Sequence, residues 1–111
     1  MTRTFVYAAS FSAKWDAIGL TDDDLIALEK YLLENPDVGN IIVGTGGLRK
    51  VRWALPSSGK SGGIRVLYVD VIVSGELHII DLFAKGQKEN LTKAERNEIK
   101  LVVLKIKRGG K

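Results

Sequence analysis

Hydrophobic residues recur along the chain at two spacings, and these spacings predict the first elements of secondary structure. Alternation of apolar and polar residues over positions 3–8 predicts a β-strand. Ser10 can cap a short helix that ends at Gly19. The apolar positions of this helix, at i, i+4 and i+7, are Phe11, Trp15 and Ile18.

A second helix is predicted directly after the first. Thr21 and Asp24 have the spacing of a capping box, in which each side chain bonds the backbone N–H of the other residue. Asn35-Pro36 ends this helix, because the residue before a proline is disfavoured in helical conformation. Its apolar stripe consists of Leu25, Leu28 and Leu32.

Three strands and a closing helix are predicted after a glycine-rich loop at residues 39–47. The strands, rich in Val, Ile, Tyr and Phe, cover residues 48–54, 64–73 and 76–84. Thr92 and Glu95 form a second capping box, which opens a helix that runs to about Lys107. The predicted inward-facing residues of this helix are Ile99, Val102, Val103 and Ile106.

The predicted order of elements is β-α-α-β-β-β-α, which is typical of an α+β domain. A chain of 111 residues can bury a sufficient core as one domain without disulfides or metals. An antiparallel sheet with the helices packed on one face is the economical arrangement. We therefore expect a single domain over residues 1–111.

The composition excludes several classes of chemistry. The chain has no cysteine and one histidine, so it forms neither a disulfide framework nor a His-rich metal site. No apolar stretch approaches the ~18 residues of a membrane span, and the N-terminus lacks a signal-peptide pattern. We expect a cytoplasmic protein that requires no metal or other cofactor and enters no membrane.

Positive charge is concentrated between residues 38 and 69. This segment has no acidic residue, although the chain has 13. A cationic surface on a sheet suits the phosphate backbone of a nucleic acid, because each neutralised phosphate releases a counterion. The basic residues of the segment are Arg49, Lys50, Arg52, Lys60 and Arg65.

Strand alternation predicts how these cations are arranged. Successive side chains of a strand point to opposite faces, so Lys50 and Arg52 share the open face of the sheet. Arg65 begins the partner strand and comes beside Arg52 when the hairpin closes. The direction of Arg49 stays open, because it lies at the start of its strand, and Lys60 lies on the hairpin loop.

The segment after the last strand can extend this surface. Lys85 and Lys88 are expected at the end of the sheet, close to the hairpin cations. Phe83 can stack on a nucleic-acid base, or it belongs to the core. Asp81 shares the face of Phe83 by alternation and can pair with Arg65 or orient it.

Two other motifs have structural explanations. Gly44-Thr45-Gly46-Gly47 lacks the Lys-Ser/Thr ending of a phosphate-binding loop and precedes a strand, so we interpret it as a tight turn. His78 lies in the middle of the last predicted strand, on the side of Ile80 and Leu82. We interpret this histidine as a packed, hydrogen-bonded residue rather than a catalyst.

Four segments of the chain occur in the same order in a known family. The most specific is Gly-Thr-Gly-Gly-Leu-Arg-Lys-Val-Arg at residues 44–52. The others are Asn35-Pro36 followed by Gly39, the segment Gly62-Gly63-Ile64-Arg65-Val66-Leu67-Tyr68, and Leu82-Phe83-Ala84-Lys85 before the capped closing helix. Together they resemble the RelE/HigB superfamily of bacterial toxin–antitoxin toxins, and they look most similar to its HigB-like branch.

The resemblance implies a ribosome-dependent mRNA interferase, which is an endoribonuclease that inhibits translation. Such a toxin places a microbial-RNase-like sheet in the ribosomal A site and cleaves mRNA there without a metal. The 2′-OH attacks the adjacent phosphate, giving a cyclic phosphate and a free 5′-OH. The implied partners are the ribosome, mRNA and a cognate antitoxin with a helix-turn-helix part.

The resemblance also implies roles for the basic residues. The implied catalytic residues are Lys50, Arg52, Arg65 and Lys85. The resemblance implies an RNA- or ribosome-binding role for Lys88, and the same role is predicted for Arg49, Lys60 and Phe83 from their positions in the sequence. Many relatives place a Tyr or His where this chain has Leu91 and Thr92, so the proton-transfer residue stays open. The alternatives are a non-catalytic RNA- or ribosome-binding module and a protein that binds only an acidic partner chain.

Overall fold

The computed structural model describes residues 3–54, 63–84, 86 and 90–109. The predicted order of elements is confirmed, with one added two-residue strand after the second helix. The elements are β1 (Thr4–Tyr7), α1 (Phe11–Ile18), α2 (Asp22–Glu34), β2 (Asn40–Ile41), β3 (Arg49–Trp53), β4 (Ile64–Val71), β5 (Glu76–Ala84) and α3 (Lys93–Lys107).

The strands form one five-stranded sheet in the order β1-β5-β4-β3-β2. Strands β3, β4 and β5 form an antiparallel meander, as predicted, and the added strand β2 pairs antiparallel with β3. Strand β1 pairs parallel with β5, which requires a long crossover between them. Because β1 pairs only with the first half of β5, through Tyr7↔Ile79, the second half of β5 extends past the end of β1.

Helices cover both faces of the sheet, so the expectation of helices on one face is wrong. Helices α1 and α2 pack on one face through Trp15 and Leu28, against Val66 and Tyr68 of β4. Helix α3 packs on the other face, where Val103 contacts a cluster of apolar residues. The sheet residues of this second cluster are Leu48, Leu67, Val69 and Val71. Strand β4 is apolar on both faces, and two helical layers are needed to bury it.

A β-bulge interrupts the pairing of β4 with β5. Leu67 lies opposite Asp81 and Tyr68 lies opposite Ile79, so Ile80 is an extra residue on β5. Leu82 consequently packs in the cluster of α1 and α2, whereas Ile80 packs on the side of α3. The expectation that His78, Ile80 and Leu82 share one face is therefore wrong for Leu82.

The helix boundaries follow the predicted capping residues. Both capping boxes are present, Thr21 with Asp24 at α2 and Thr92 with Glu95 at α3. Gly19 ends α1 with φ of 89°, a conformation that favours glycine. Ser10 occupies the N-cap position of α1 without a side-chain capping bond.

The glycine-rich segment is a turn, as predicted. The hydroxyl of buried Thr45 donates to the Ile42 carbonyl at 2.6 Å and accepts from the Leu48 amide at 3.1 Å. In α3, Val103 is buried as expected, but Val102 is 47% exposed. The one-sided packing of α3 leaves Val102 outside the apolar contact, and its predicted inward position is wrong.

Candidate nucleic-acid interface

Strand β3 presents two cations on the side of the sheet that faces α3. Val51 and Trp53 are buried in the opposite cluster, with α1 and α2. Alternation therefore places Lys50 and Arg52 together on the α3 side, which confirms that they share a face. This face is not the open face that was predicted, because α3 packs on part of it. Arg52 is exposed and Lys50 is half-buried.

Arg65 lies directly beside Arg52, because these two residues are register partners across β3 and β4. The predicted proximity of the two arginines is confirmed. Arg65 is only 6% exposed, so its predicted open position is wrong. Strand β4 is central, and Arg65 lies between Arg52 on one neighbouring strand and Phe83 on the other.

Glycine at position 63 allows the hairpin strands to approach closely before Arg65. Gly63 has φ of 57°, and a Cβ atom there would collide with the backbone oxygen of Trp53. A side chain at this position would push β4 away from β3. Gly63 therefore preserves the register that brings the two arginines together.

A small cleft lies next to these cations, between the sheet and the start of α3. Its volume is about 60 Å³. Lys50 lies in a largely apolar wall, and Arg96 of α3 supplies a second cation. The described lining residues are Ile42, Lys50, Leu67, Phe83, Asn90, Leu91 and Arg96. The cleft thus combines positive charge with one aromatic ring.

Phe83 is half-buried, and it both lines this cleft and packs in the cluster of α3. The Nζ atom of Lys14 lies 5.8 Å from the centre of the Phe83 ring. The same amine bonds Asp81 Oδ1 at 2.5 Å. Asp81 therefore pairs with Lys14 of α1, a partner on another element that the sequence analysis did not identify.

Arg49 stabilises a loop and does not line the cleft. Its Nη1 atom donates to the carbonyl of Gly39 at 2.7 Å and to that of Asp37 at 3.2 Å. The Tyr68 hydroxyl holds the same loop, accepting from the Gly39 amide at 2.9 Å and donating to the Pro36 carbonyl at 2.8 Å. Burial raises the pKa of Tyr68, so this phenol stays protonated and structural.

Three of the predicted site residues lie outside the part of the chain that the structure describes. They are Lys60, Lys85 and Lys88. The sequence analysis missed Arg96, although a signal for it exists. Arg96 precedes Ile99 by three residues and Val103 by seven, a spacing that places all three on the same side of a helix.

The described part of the cleft contains no histidine, tyrosine or carboxylate. His78 lies apart from it, half-buried, and its Nε2 atom is 3.0 Å from Glu76 Oε1 of the same strand. This contact supports the interpretation of His78 as a hydrogen-bonded structural residue. Leu91 lines the cleft and Thr92 caps α3, so neither supplies a group that titrates near neutral pH. The cleft can bind and polarise a phosphate, while the described residues offer no conventional acid–base pair.

The comparisons with known proteins support the fold that carries this cleft. No family model matches the sequence. A solved structure of the E. coli toxin RelE, an arginine-to-alanine double mutant in the free state, matches with a TM-score of 0.54 and 19% identity. The match covers 96% of this chain and 98% of that one. In the described residues no helix is long and apolar enough to cross a membrane. The chain therefore has the RelE-like fold, with a basic cleft between its sheet and its last helix.

Proposed function

We propose that the protein is the toxin of a type II toxin–antitoxin system and a ribosome-dependent mRNA endonuclease. The observation that carries this proposal is the grouping of Lys50, Arg52 and Arg65 on adjacent strands, next to a cleft with an aromatic wall. The RelE-like fold supports it, because the matching structure is that of a toxin. Within the RelE/HigB superfamily, we assign the chain to the HigB-like branch, because its sequence motifs look most similar to that branch.

The proposed reaction is attack of an RNA 2′-OH on the adjacent phosphate. The 2′-oxygen forms a bond to phosphorus, the bond from phosphorus to the 5′-oxygen breaks, and a cyclic phosphate and a 5′-OH result. One proton leaves the 2′-OH and one reaches the 5′-oxygen. Cations that face the developing negative charge lower the barrier without a metal.

The positions of the cations suggest separate roles. Exposed Arg52 can grip two phosphate oxygens through its planar guanidinium. Arg65 adds positive charge from the adjacent strand. Lys50, inside the cleft, and Lys85 are the candidates for proton transfer, and Phe83 offers a face on which one base can stack.

Cleavage is proposed to require the ribosome. The described cleft lacks an acid–base pair, so free RNA is expected to be cut poorly. Ribosomal RNA in the A site can hold the 2′-OH in line with the phosphate, and orientation of this kind contributes several kcal/mol to a reaction. A cytoplasmic location and a cognate antitoxin, with a helix-turn-helix part, belong to the same proposal.

The test is induction of the protein in a bacterial host, with growth and transcript ends as the readouts. Wild-type protein is expected to arrest growth and to fragment transcripts. Arg52→Gln and Lys50→Gln should reduce cleavage by about ten- to a thousandfold, because each removes a contact to the transition state. Lys30→Gln is the matched control, since Lys30 is exposed on α2.

Two outcomes contradict this proposal. Full toxicity of both variants would place the active site elsewhere, and efficient cutting of naked mRNA by purified protein would indicate an autonomous ribonuclease. Growth arrest with intact transcripts would instead favour a non-catalytic ribosome-binding module. The lack of an acid–base pair among the described cleft residues is the observation that favours this second candidate.

A further inference from the structure

Helix α3 carries a row of cations along one side. Of its 15 residues, five are basic and two are acidic. At 3.6 residues per turn, four of the basic residues fall within one side of the helix. They are Lys93, Arg96, Lys100 and Lys107. Lys105 falls on the opposite side.

A groove lies between the start of this row and the loop that precedes β3, and Lys100 and Lys107 continue the row beyond it. One wall consists of Ile42, Val43 and Gly44, and the other consists of Lys93, Arg96 and Asn97. Its volume is about 340 Å³. Val43 is 86% exposed, so the loop wall presents an apolar surface opposite the cations.

Arg96 joins the groove to the cleft that contains Lys50, because it lines both. The Nη1 atom of Arg96 donates to the Leu91 carbonyl at 3.2 Å, and this bond directs the guanidinium toward the start of the helix. At the other end of the row, Lys107 Nζ donates to the Gly46 carbonyl at 2.7 Å. These two hydrogen bonds therefore lie near the two ends of the row.

Among the residues that the structure describes, no carboxylate forms an ion pair with the row. Within the described part of the chain, no ion pair involves Lys93, Arg96 or Lys100. Glu95 is turned to the amide of Thr92 as part of the capping box. Glu98 lies on the other side of the helix, close to the position of Lys105.

We propose that this groove binds the sugar-phosphate backbone of single-stranded RNA as it leaves the cleft, with Arg96 at the junction. The inference rests on the proposed function, which supplies RNA as the substrate. The row from Lys93 to Lys107 spans ~21 Å at 1.5 Å per residue, so it can follow several nucleotides. Single-stranded RNA fits because phosphates match the cations while exposed bases can lie against Val43.

The experiment measures binding of a 20-nucleotide single-stranded RNA, whose 2′-O-methyl groups prevent cleavage, to the purified full chain. The double variant Lys93→Gln with Lys100→Gln should lose affinity by about two- to fivefold per charge removed. Its log–log salt slope should become shallower by about 0.7 for each phosphate that is no longer neutralised. Lys105→Gln, from the opposite side of the same helix, is the matched control.

A short probe separates the groove from the cleft. A four-nucleotide RNA of the same design reaches the cleft and only the start of the groove, so the double variant should weaken its binding less than it weakens binding of the long RNA. Arg96→Gln should weaken both probes, because Arg96 lines both surfaces. Since all substituted lysines are exposed, thermal unfolding should be unchanged, and this is checked for each variant.

The outcomes distinguish this inference from the proposed function. If the double variant and Lys105→Gln bind the long RNA alike, the groove inference is wrong even if the wild-type protein cleaves mRNA on ribosomes. If the wild-type protein never cleaves mRNA but the variants bind the long RNA with the expected differences in affinity, the groove inference is supported and the nuclease proposal is wrong. Absence of RNA binding by the wild-type protein, or preference for an acidic peptide over RNA, would overturn the inference.

Discussion

The hydroxyl group of Tyr68 connects β4 to the loop before β2, and it is fully buried. Tyr68→Phe removes a bond to the Pro36 carbonyl and leaves the buried Gly39 amide without its acceptor. We expect the free energy of unfolding to fall by about 1–3 kcal/mol. Denaturant unfolding at neutral pH measures this difference. An unchanged midpoint would show that water replaces the hydroxyl.

The same residue predicts how this difference depends on pH. Burial raises the pKa of Tyr68 above its ordinary value near 10, so the unfolded chain loses this proton first as the pH rises. The stability that Tyr68 contributes is complete below about pH 10 and decreases above it. The stability advantage of wild type over Tyr68→Phe should therefore shrink in alkaline solution, and a constant difference would contradict the assignment.

For the residues of the site, the sequence predicted which face of the sheet a side chain occupies but not how deeply that side chain is buried. Alternation correctly placed Lys50 and Arg52 on one face, because the period of a strand is a local property. The burial of Arg65 depends on which strands flank β4, and that is a property of the whole sheet. Arg96 was missed because the sequence of a helix shows which residues share a side but not the part of the sheet against which that side docks.

At the scale of elements, the capping box of α3 supports the cleft. Thr92→Ala removes the side chain that accepts from the Glu95 amide at 3.1 Å, and we expect a loss of about 0.5–2 kcal/mol in the free energy of unfolding. Ser10→Ala at α1 is the matched control, because Ser10 makes no capping bond with its side chain. Thermal unfolding of both variants tests this, and equal midpoints would mean that the box does not stabilise α3.

The elements themselves were predictable because their signals are local, whereas their packing was not. Capping residues, stop residues and apolar periods identified all three helices and the longer strands. The packing of α3 on the second face was not predicted, although β4 carries the relevant signal. Its nearly continuous apolar run from Ile64 to Val71 is typical of a strand that is buried on both sides.

At the scale of the molecule, opposite charges lie on opposite sides of the sheet. The acidic start of α2, with Asp22 and Asp23 exposed, is on one side, and the cations of β3 and α3 are on the other. An antitoxin that blocks RNA access is therefore expected to cover the basic side, where charge complementarity favours an acidic or helical segment.

Amine labelling of the complex, read by mass spectrometry, tests this expectation. Lys50, Lys60 and Lys85 should be protected when the antitoxin is bound, while Lys30 on α2 should react as in the free protein. Unchanged labelling of the first three lysines, with toxicity still suppressed, would show that the antitoxin binds near α1 and α2 and blocks ribosome entry by its bulk.

Ile80, the extra residue in the β-bulge, divides β5 into two parts. Odd-numbered residues face α1 and α2 before the bulge and face α3 after it. The bulge accommodates Ile80, so Leu82 stays opposite Val66 and Phe83 stays opposite Arg65. If β5 instead alternated regularly through Ile80, without a bulge, Leu82 would turn toward α3 and Phe83 toward α1 and α2. A relative that lacks the extra residue would present the same faces with no bulge. Its sequence therefore has to be aligned with a one-residue gap at Ile80, because an ungapped alignment equates side chains from opposite faces of the sheet.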